Sequence, residues 1–192
     1  LQESLSALIV NRSLDILRRD YEEEEVKIEI LNDISRIFTN EGFIDLSKGS
    51  EYTLPRWIAK ILEKEGVVKI KEENIDLEKL SKIAYNEEAT LKKPQLVKLP
   101  PHFYMLVREE IENIKKSLQE RQDINLLDDL KKYIDLLYTI GRIRLRKIIN
   151  TLMMIEVSQD FLDKMSMEEK LLYRILRDSL MTWVSELGIE RI

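Results

Sequence analysis

His102 is the one imidazole in the chain, and there is no cysteine. Those two facts bound the chemistry. Thiol nucleophiles and thiolate zinc sites are excluded. A histidine-based metal site needs carboxylate partners at fixed spacing, and no such set stands in the sequence. His102 directly follows Pro100-Pro101 and reads as an ordinary residue at a helix start. Carboxylates are plentiful, yet no pair has a context that shifts a pKa for acid–base work. The five glycines form no phosphate-cradling loop. The expectation is no catalytic residue, no metal ligand and no cofactor.

The densest basic cluster is Arg142, Arg144, Arg146 and Lys147, with no acid between Tyr138 and Ile149. Phosphate contact is one use of such a cluster. The favoured reading is different: these cations alternate with apolar residues and pair with carboxylates of neighbouring helices, a task that suits the planar fork of Arg. Arg142 and Arg146 are four apart and share a helix face, while Arg144 points elsewhere. The acidic run at Asp20 and Glu22 to Glu25 reads as a solvated linker. Trp57, a large and mainly apolar ring, is expected in a core.

The elements that must carry these residues follow from periodicity. Residues 4–20 read as a helix. Val26-Lys27-Ile28-Glu29-Ile30 alternates strictly and predicts a half-buried strand. Phe43 to Leu46 is a second strand, followed by a turn at residues 47–50. Thr53 is placed to cap a helix with Pro55 in its first turn, ended by Gly66. Val67 to Ile70 returns as a strand. Asp76 opens a helix through Tyr85, and residues 86–98, polar and broken by Pro94, read as a linker.

Pro100-Pro101 then starts a helix whose Phe103, Val107, Ile111, Ile114 and Leu118 share a face. A longer helix begins near Asn125. Leu130, Ile134, Leu137, Gly141, Leu145, Ile148, Leu152 and Ile155 make one stripe along it, and Tyr133, Leu136, Ile140 and Ile143 a second. At ~30 residues it spans ~45 Å, and apolar residues on several faces call for several packing partners. Leu130, Ile134, Leu137, Arg142, Arg146, Ile148 and Leu152 are therefore the candidate residues for contact with another chain. Ser166-Met167-Glu168-Glu169 has the capping-box spacing. Leu172, Leu176, Leu180, Trp183 and Leu187 follow on the last helix.

The fold class is thus a small α+β domain followed by an all-α helical bundle, mainly α overall. Its expected divisions are an N-terminal helical extension over 1–23, the small domain over 24–85, a linker over 86–98 and the helical domain over 99–192. A formal net charge of −5 argues against a nucleic-acid coat or a membrane-surface protein. No apolar run reaches the ~18–20 residues of a membrane span. Leu5 to Val10 is too short, and lacks the basic lead, for a secretory signal. Absent cysteine with abundant Lys, Glu and Ile suits a reducing cytoplasm.

The order of Leu54-Pro55-Arg56-Trp57-Ile58-Ala59, Leu99-Pro100-Pro101-His102-Phe103-Tyr104, Arg144-Leu145-Arg146-Lys147-Ile148 and Met167 to Tyr173 resembles the archaeal GINS subunit whose small β-rich domain precedes its helical domain. The resemblance spans about residues 26–185 and leaves 1–20 outside. It implies a non-catalytic scaffold of DNA replication at the fork in the cytoplasm. A sister subunit in a hetero-tetramer, the MCM helicase and a RecJ-like protein are the implied partners, with weak or no direct DNA binding. The alternative is a winged-helix DNA-binding regulator with a helical dimerisation domain. It rests on the helix from Pro55 to Glu65, the following strand, and a basic excess of Arg56, Lys60, Lys64, Lys69 and Lys71 over Glu63 and Glu65.

Overall fold

Val26, Ile28 and Ile30 alternate with charged residues, and in the computed structural model all three side chains are buried on one face of a strand. The structure describes residues 5–39, 42–71, 75–120, 123–152, 154 and 156–188. It divides into two compact units, 1–74 and 75–192. Small β-containing unit first, helical unit second, is the expected fold class.

The first unit opens with α1 (Leu5–Glu23) and continues through β1 (Glu25–Ile30), β2 (Ile34–Thr39), β3 (Gly42–Leu46), β4 (Glu51–Pro55), α2 (Arg56–Lys64) and β5 (Val68–Ile70). β1 is the middle of a three-stranded sheet, with β4 and β5 antiparallel on either side of it. Leu54 stands opposite Val26, Val68 opposite Ile30, and Ala59 of α2 closes the core above them. β2 and β3 form a separate two-stranded sheet.

Two sequence expectations change here. Thr53 does not cap a helix: it pairs with Lys27 in the sheet, and Pro55 is the N-cap position of α2 without a side-chain cap. Pro55 ends an edge strand, where its missing N–H costs no ladder bond. β2 was not anticipated, because a register shift between Ile34 and Ile37 breaks the alternation that would betray a strand. Within the bulge Arg36 has φ +58°, and its N–H donates to Asp45 Oδ1 at 2.9 Å.

The second unit comprises α3 (Leu77–Ala89), α4 (Phe103–Glu120), α5 (Ile124–Leu152), α6 (Gln159–Asp163) and α7 (Met167–Glu186). Asp76 caps α3 by accepting from Lys79 N–H at 2.8 Å. Asp123 rather than Asn125 serves α5, its carboxylate accepting from Asn125 N–H at 2.9 Å. The capping box at Ser166 and Glu169 is present as the spacing predicted. Phe103, Val107, Ile111 and Ile114 of α4 are buried together with Leu80, Ile83, Tyr133 and Ile140. A second cluster joins Leu96, Ile148, Leu152, Phe161, Met165 and Tyr173.

The domain boundaries move accordingly. Residues 1–23 are not a free extension: Leu17 and Tyr21 of α1 are buried, and α1 packs on α2 within the first unit. Residues 1–4 of that expected segment lie outside the described residues. Residues 75–85 belong with the helices, not the sheet. Residues 86–98 are not a linker between domains. They finish α3 and then bury Leu96 against α5 and α6 side chains. The polarity that suggested a linker serves a buried charge network described below.

Candidate functional site

Among the described residues Arg144 is the largest fully buried side chain, 0% exposed. A guanidinium has five N–H donors, all of which need acceptors when water is excluded. Here Nε and one Nη2 hydrogen meet the two carboxylate oxygens of Glu169 at 2.6 and 2.7 Å, a bidentate fork. The other Nη2 hydrogen goes to the Lys164 carbonyl at 3.0 Å. Nη1 donates to Glu87 Oε1 at 2.5 Å and to the Val97 carbonyl at 2.7 Å.

Lys147, one turn along α5, completes the set. Its ammonium donates to Glu87 Oε2 at 2.6 Å, Thr90 Oγ1 at 2.9 Å and the Gln95 carbonyl at 2.9 Å. Val97 N–H donates to Glu87 Oε1 at 2.8 Å, and Tyr104 O–H to Glu169 Oε1 at 2.8 Å. Ser166 N–H reaches Glu169 Oε2 at 3.0 Å through the capping box. Two cations face two carboxylates, so the burial is charge-balanced. Burial works against the Arg144 charge, but Glu169 and Glu87 outweigh it and raise its pKa. Burial, then the Glu169 charge, pushes the Tyr104 phenol far up, so it stays a donor.

This arrangement binds helices rather than substrate. Every Arg144 donor is used within the chain, and the network ties α3, α5, α7 and the 95–99 segment together. Among the described residues no group of His, Asp or Glu has metal-holding geometry, and no helix is long and apolar enough to cross a membrane. His102 is buried at the start of α4. Glu168 beside it accepts from Met105 N–H at 3.2 Å, and burial raises its carboxyl pKa.

In the first unit Arg56 plays a parallel part. It is buried, its guanidinium lies 4.1 Å from the Tyr21 ring centroid, Nε donates to the Tyr21 carbonyl at 3.1 Å, and Nη2 pairs with Glu24 at 2.8 Å. Lys60 pairs with Glu22 at 2.9 Å, and Lys71 with Glu51 at 2.7 Å. The acidic run is thus no solvated linker, since two of its carboxylates meet α2. Three of the five basic residues behind the DNA-reading alternative are engaged the same way. Trp57, expected in a core, is 48% exposed, because Arg56 and Ala59 take the inward positions of α2.

The seven candidate contact residues of α5 separate by face. Ile134, Arg142 and Arg146 are exposed; Leu130 and Leu137 are half-buried against the chain's own core. Ile148 and Leu152 are interior and cannot meet another chain, since α6 and α7 cover them. Ile155 of the predicted stripe lies outside the described residues. The second stripe, with Tyr133, Ile140 and Ile143, is the inward face.

Four exposed apolar residues join Ile134 on the outer face: Leu127, Tyr138, Leu145 and Ile149. Tyr138 is 68% exposed, with the Arg142 guanidinium 5.9 Å from its ring centroid. Leu127, Tyr138 and Ile149 escape the sequence reading because the first stripe mixes exposed Ile134 and Leu145 with buried Ile148 and Leu152, and the periodicity does not separate the two faces. Glu87 was missed because it sits in a polar run. Its signal was the surplus of basic residues on α5 with no acid nearby in sequence.

No curated protein matches the chain. The family described as Sld5, GINS complex protein helical bundle domain, matches residues 72–188, more than half of the chain. The match starts at 72 where the helical unit starts at 75, and it contains the whole buried network. Three of the four segments that carry the sequence resemblance, around Tyr104, Arg144 and Glu169, converge on that network. The chain belongs to the GINS helical-bundle family, whose members are subunits of a multi-subunit complex of DNA replication.

Proposed function

We propose that the chain is a non-catalytic scaffold of the archaeal GINS type, small domain first. In this reading it assembles with a sister subunit into a hetero-tetramer and supports the MCM helicase at the replication fork in the cytoplasm, beside a RecJ-like protein. One observation supports it above others: within the family-matched bundle, α5 leaves an apolar face uncovered for ~33 Å while Tyr133, Ile140, Ile143 and Ile148 pack inward. Each fully buried residue of that kind contributes roughly 1.5–3 kcal/mol, so the face is a strong drive to association. Arg142 and Arg146 belong to the assembly surface rather than to DNA in this reading, because they border the exposed apolar face, with the Arg142 guanidinium 5.9 Å from the Tyr138 ring centroid.

The test is mass spectrometry of what co-purifies from native cells with the tagged chain, against Ile134→Glu combined with Leu145→Glu. Retention of a sister subunit and MCM by the unmodified chain, and their loss from the variant, is expected. Recovery of neither from the unmodified chain overturns the reading. Arg146→Ala is expected to weaken assembly and leave the salt slope of any DNA binding unchanged; the reverse result gives the residue to nucleic acid.

A further inference from the structure

From Ala89 to Arg108 the chain carries no acidic residue, in a sequence whose formal net charge is −5. Lys92, Lys93 and Lys98 stand in the first half of that stretch, all exposed. Lys82 and Tyr85 precede them on the outer face of α3, about 60° apart and opposite the buried Leu80, Ile83 and Glu87. Tyr85 is 71% exposed. Among the described residues none of the four lysines makes an ion pair, and the Tyr85 side chain has no hydrogen bond or ring contact.

The loop that carries the lysines is fixed from beneath. Lys147 donates to Thr90 Oγ1 and the Gln95 carbonyl, Arg144 to the Val97 carbonyl, and Val97 N–H to Glu87. Leu96 and Leu99 are buried. A buried network of this kind adds little net stability over apolar packing; what it fixes here is backbone position, so the cost of ordering the loop is met in folding rather than on binding. Glu87 and Glu169 cancel Arg144 and Lys147, so the network leaves no net charge under the loop. Lys147 also donates to the Glu87 carbonyl at 3.3 Å and covers the negative end of α3, which the loop lysines would otherwise neutralise. Neighbouring carboxylates are few. Glu88 is exposed beside the turn. On α6, whose Lys164 carbonyl accepts from Leu99 N–H at 3.4 Å, Asp160 pairs with Lys164 at 2.7 Å and Asp163 accepts from Gln159 at 2.8 Å.

Uncompensated lysines on a rigid loop attract phosphate, and an exposed ring offers a face to an unstacked base. We propose that Lys82, Lys92, Lys93 and Lys98 hold the backbone of single-stranded DNA while Tyr85 stacks on one of its bases. A duplex keeps its bases stacked on one another and leaves the ring unused. An acidic protein segment would use the lysines and not the ring. An ammonium is a point charge without the fork of Arg, so the contact reads no sequence. With so few phosphate contacts it is weak, with a dissociation constant of ~10⁻⁴–10⁻⁶ M. The site is carried by α3 and its loop, not by the exposed face of α5, so the inference goes beyond the assembly reading and stands without it.

The test is fluorescence anisotropy of a labelled oligo(dT) of about 30 nucleotides with the full chain, titrated at several salt concentrations from about 20 mM upward. Lys92→Ala combined with Lys93→Ala and Lys98→Ala is expected to raise the dissociation constant about tenfold or more. The same variant is expected to lower the salt slope by about 2, at ~0.7 per phosphate contact on a single strand. Tyr85→Ala is expected to weaken binding about fivefold or more at unchanged salt slope, and Tyr85→Phe to leave it unchanged. Lys48→Ala combined with Lys64→Ala and Lys116→Ala removes the same charge from exposed positions elsewhere. That control is expected to bind within about twofold of the unmodified chain. Equal weakening by the control reduces the binding to net charge and overturns the site. Tyr85→Ala without effect, with poly-glutamate competing as well as oligo(dT), gives the loop to an acidic protein segment and overturns the proposal. A duplex of the same length bound as tightly as the single strand overturns the stacking role. No binding at the lowest salt overturns the proposal outright and leaves the scaffold reading standing.

Discussion

Arg144 illustrates what single residues settle. Its place in a basic cluster was visible in the sequence, and so was the favoured pairing with carboxylates of neighbouring helices. Which carboxylates was not visible, because Glu87 and Glu169 lie 57 and 25 residues away along the chain. Only the capping box hinted at Glu169, by fixing its position at the start of α7. Arg144→Met is expected to leave the buried Glu169 without a cation and Glu87 with Lys147 alone, and loss of one partner of a buried pair costs ~3–5 kcal/mol. Arg144→Lys is no conservative change: three ammonium hydrogens cannot serve five acceptors in a fixed fork, and a loss of ~2 kcal/mol or more is expected. Urea titration followed by circular dichroism checks both. Glu168 is the opposite case, a carboxylate whose charge the fold penalises. Burial raises its pKa, more than Ser166 and backbone N–H groups lower it. The folded chain therefore holds the proton to higher pH than the unfolded chain. Stability falls as pH rises from the ordinary carboxylate range through the raised value, and the penalty is complete above it. Glu168→Gln is expected to melt higher than the unmodified chain at pH 7 and level with it near pH 4. A midpoint lowered at pH 7 would contradict the sign.

Elements were legible where one period ran unbroken and illegible where a tertiary partner decided the matter. β1 and α4 followed their patterns. β4 did not, because Thr53 and Pro55 are helix-start residues by propensity while β1 recruits them as a strand through Leu54 opposite Val26. Residues 86–98 were misread because a polar, aperiodic run is what a solvated linker and a buried polar hinge have in common. The distinguishing feature is the set of partners: Glu87 is fully buried, and the Gln95 and Val97 carbonyls accept from Lys147 and Arg144. Limited proteolysis is therefore expected to spare 86–98 in its first cuts, and fragments ending there early would restore the linker. α1 makes a matching case. With Tyr21 under the Arg56 guanidinium and Leu17 buried, it is part of the first unit's core rather than an appendage. A chain beginning at Glu24 is expected to lose the sheet's cooperative transition or lower its midpoint markedly. An unchanged midpoint would return α1 to the status of an extension.

At the scale of the molecule, each unit has its own apolar core and its own buried arginine, and neither needs the other to satisfy it. Arg56 finds Tyr21 and Glu24 within the first unit; Arg144 finds Glu87 and Glu169 within the second. Both core clusters of the helical unit start at or after Ile75, and so do all acceptors of its network. The exposed apolar face of α5, from Leu127 to Ile149, also lies wholly in this unit. Folding information and the proposed assembly surface thus coincide in the part of the chain that the family match covers. Residues 75–192 expressed alone are expected to unfold in one cooperative step, at the urea midpoint of the helical transition of the full chain. Arg144→Met is expected to shift that step in the fragment as much as in the full chain. Because the network is shut off from solvent, raising salt from 0.1 to 1 M should move the midpoint little by screening, whereas exposed pairs such as Lys71 with Glu51 are screened. A fragment that binds dye as a loosely packed state, or whose midpoint collapses without the first unit, would show that the helical unit's stability depends on the first unit.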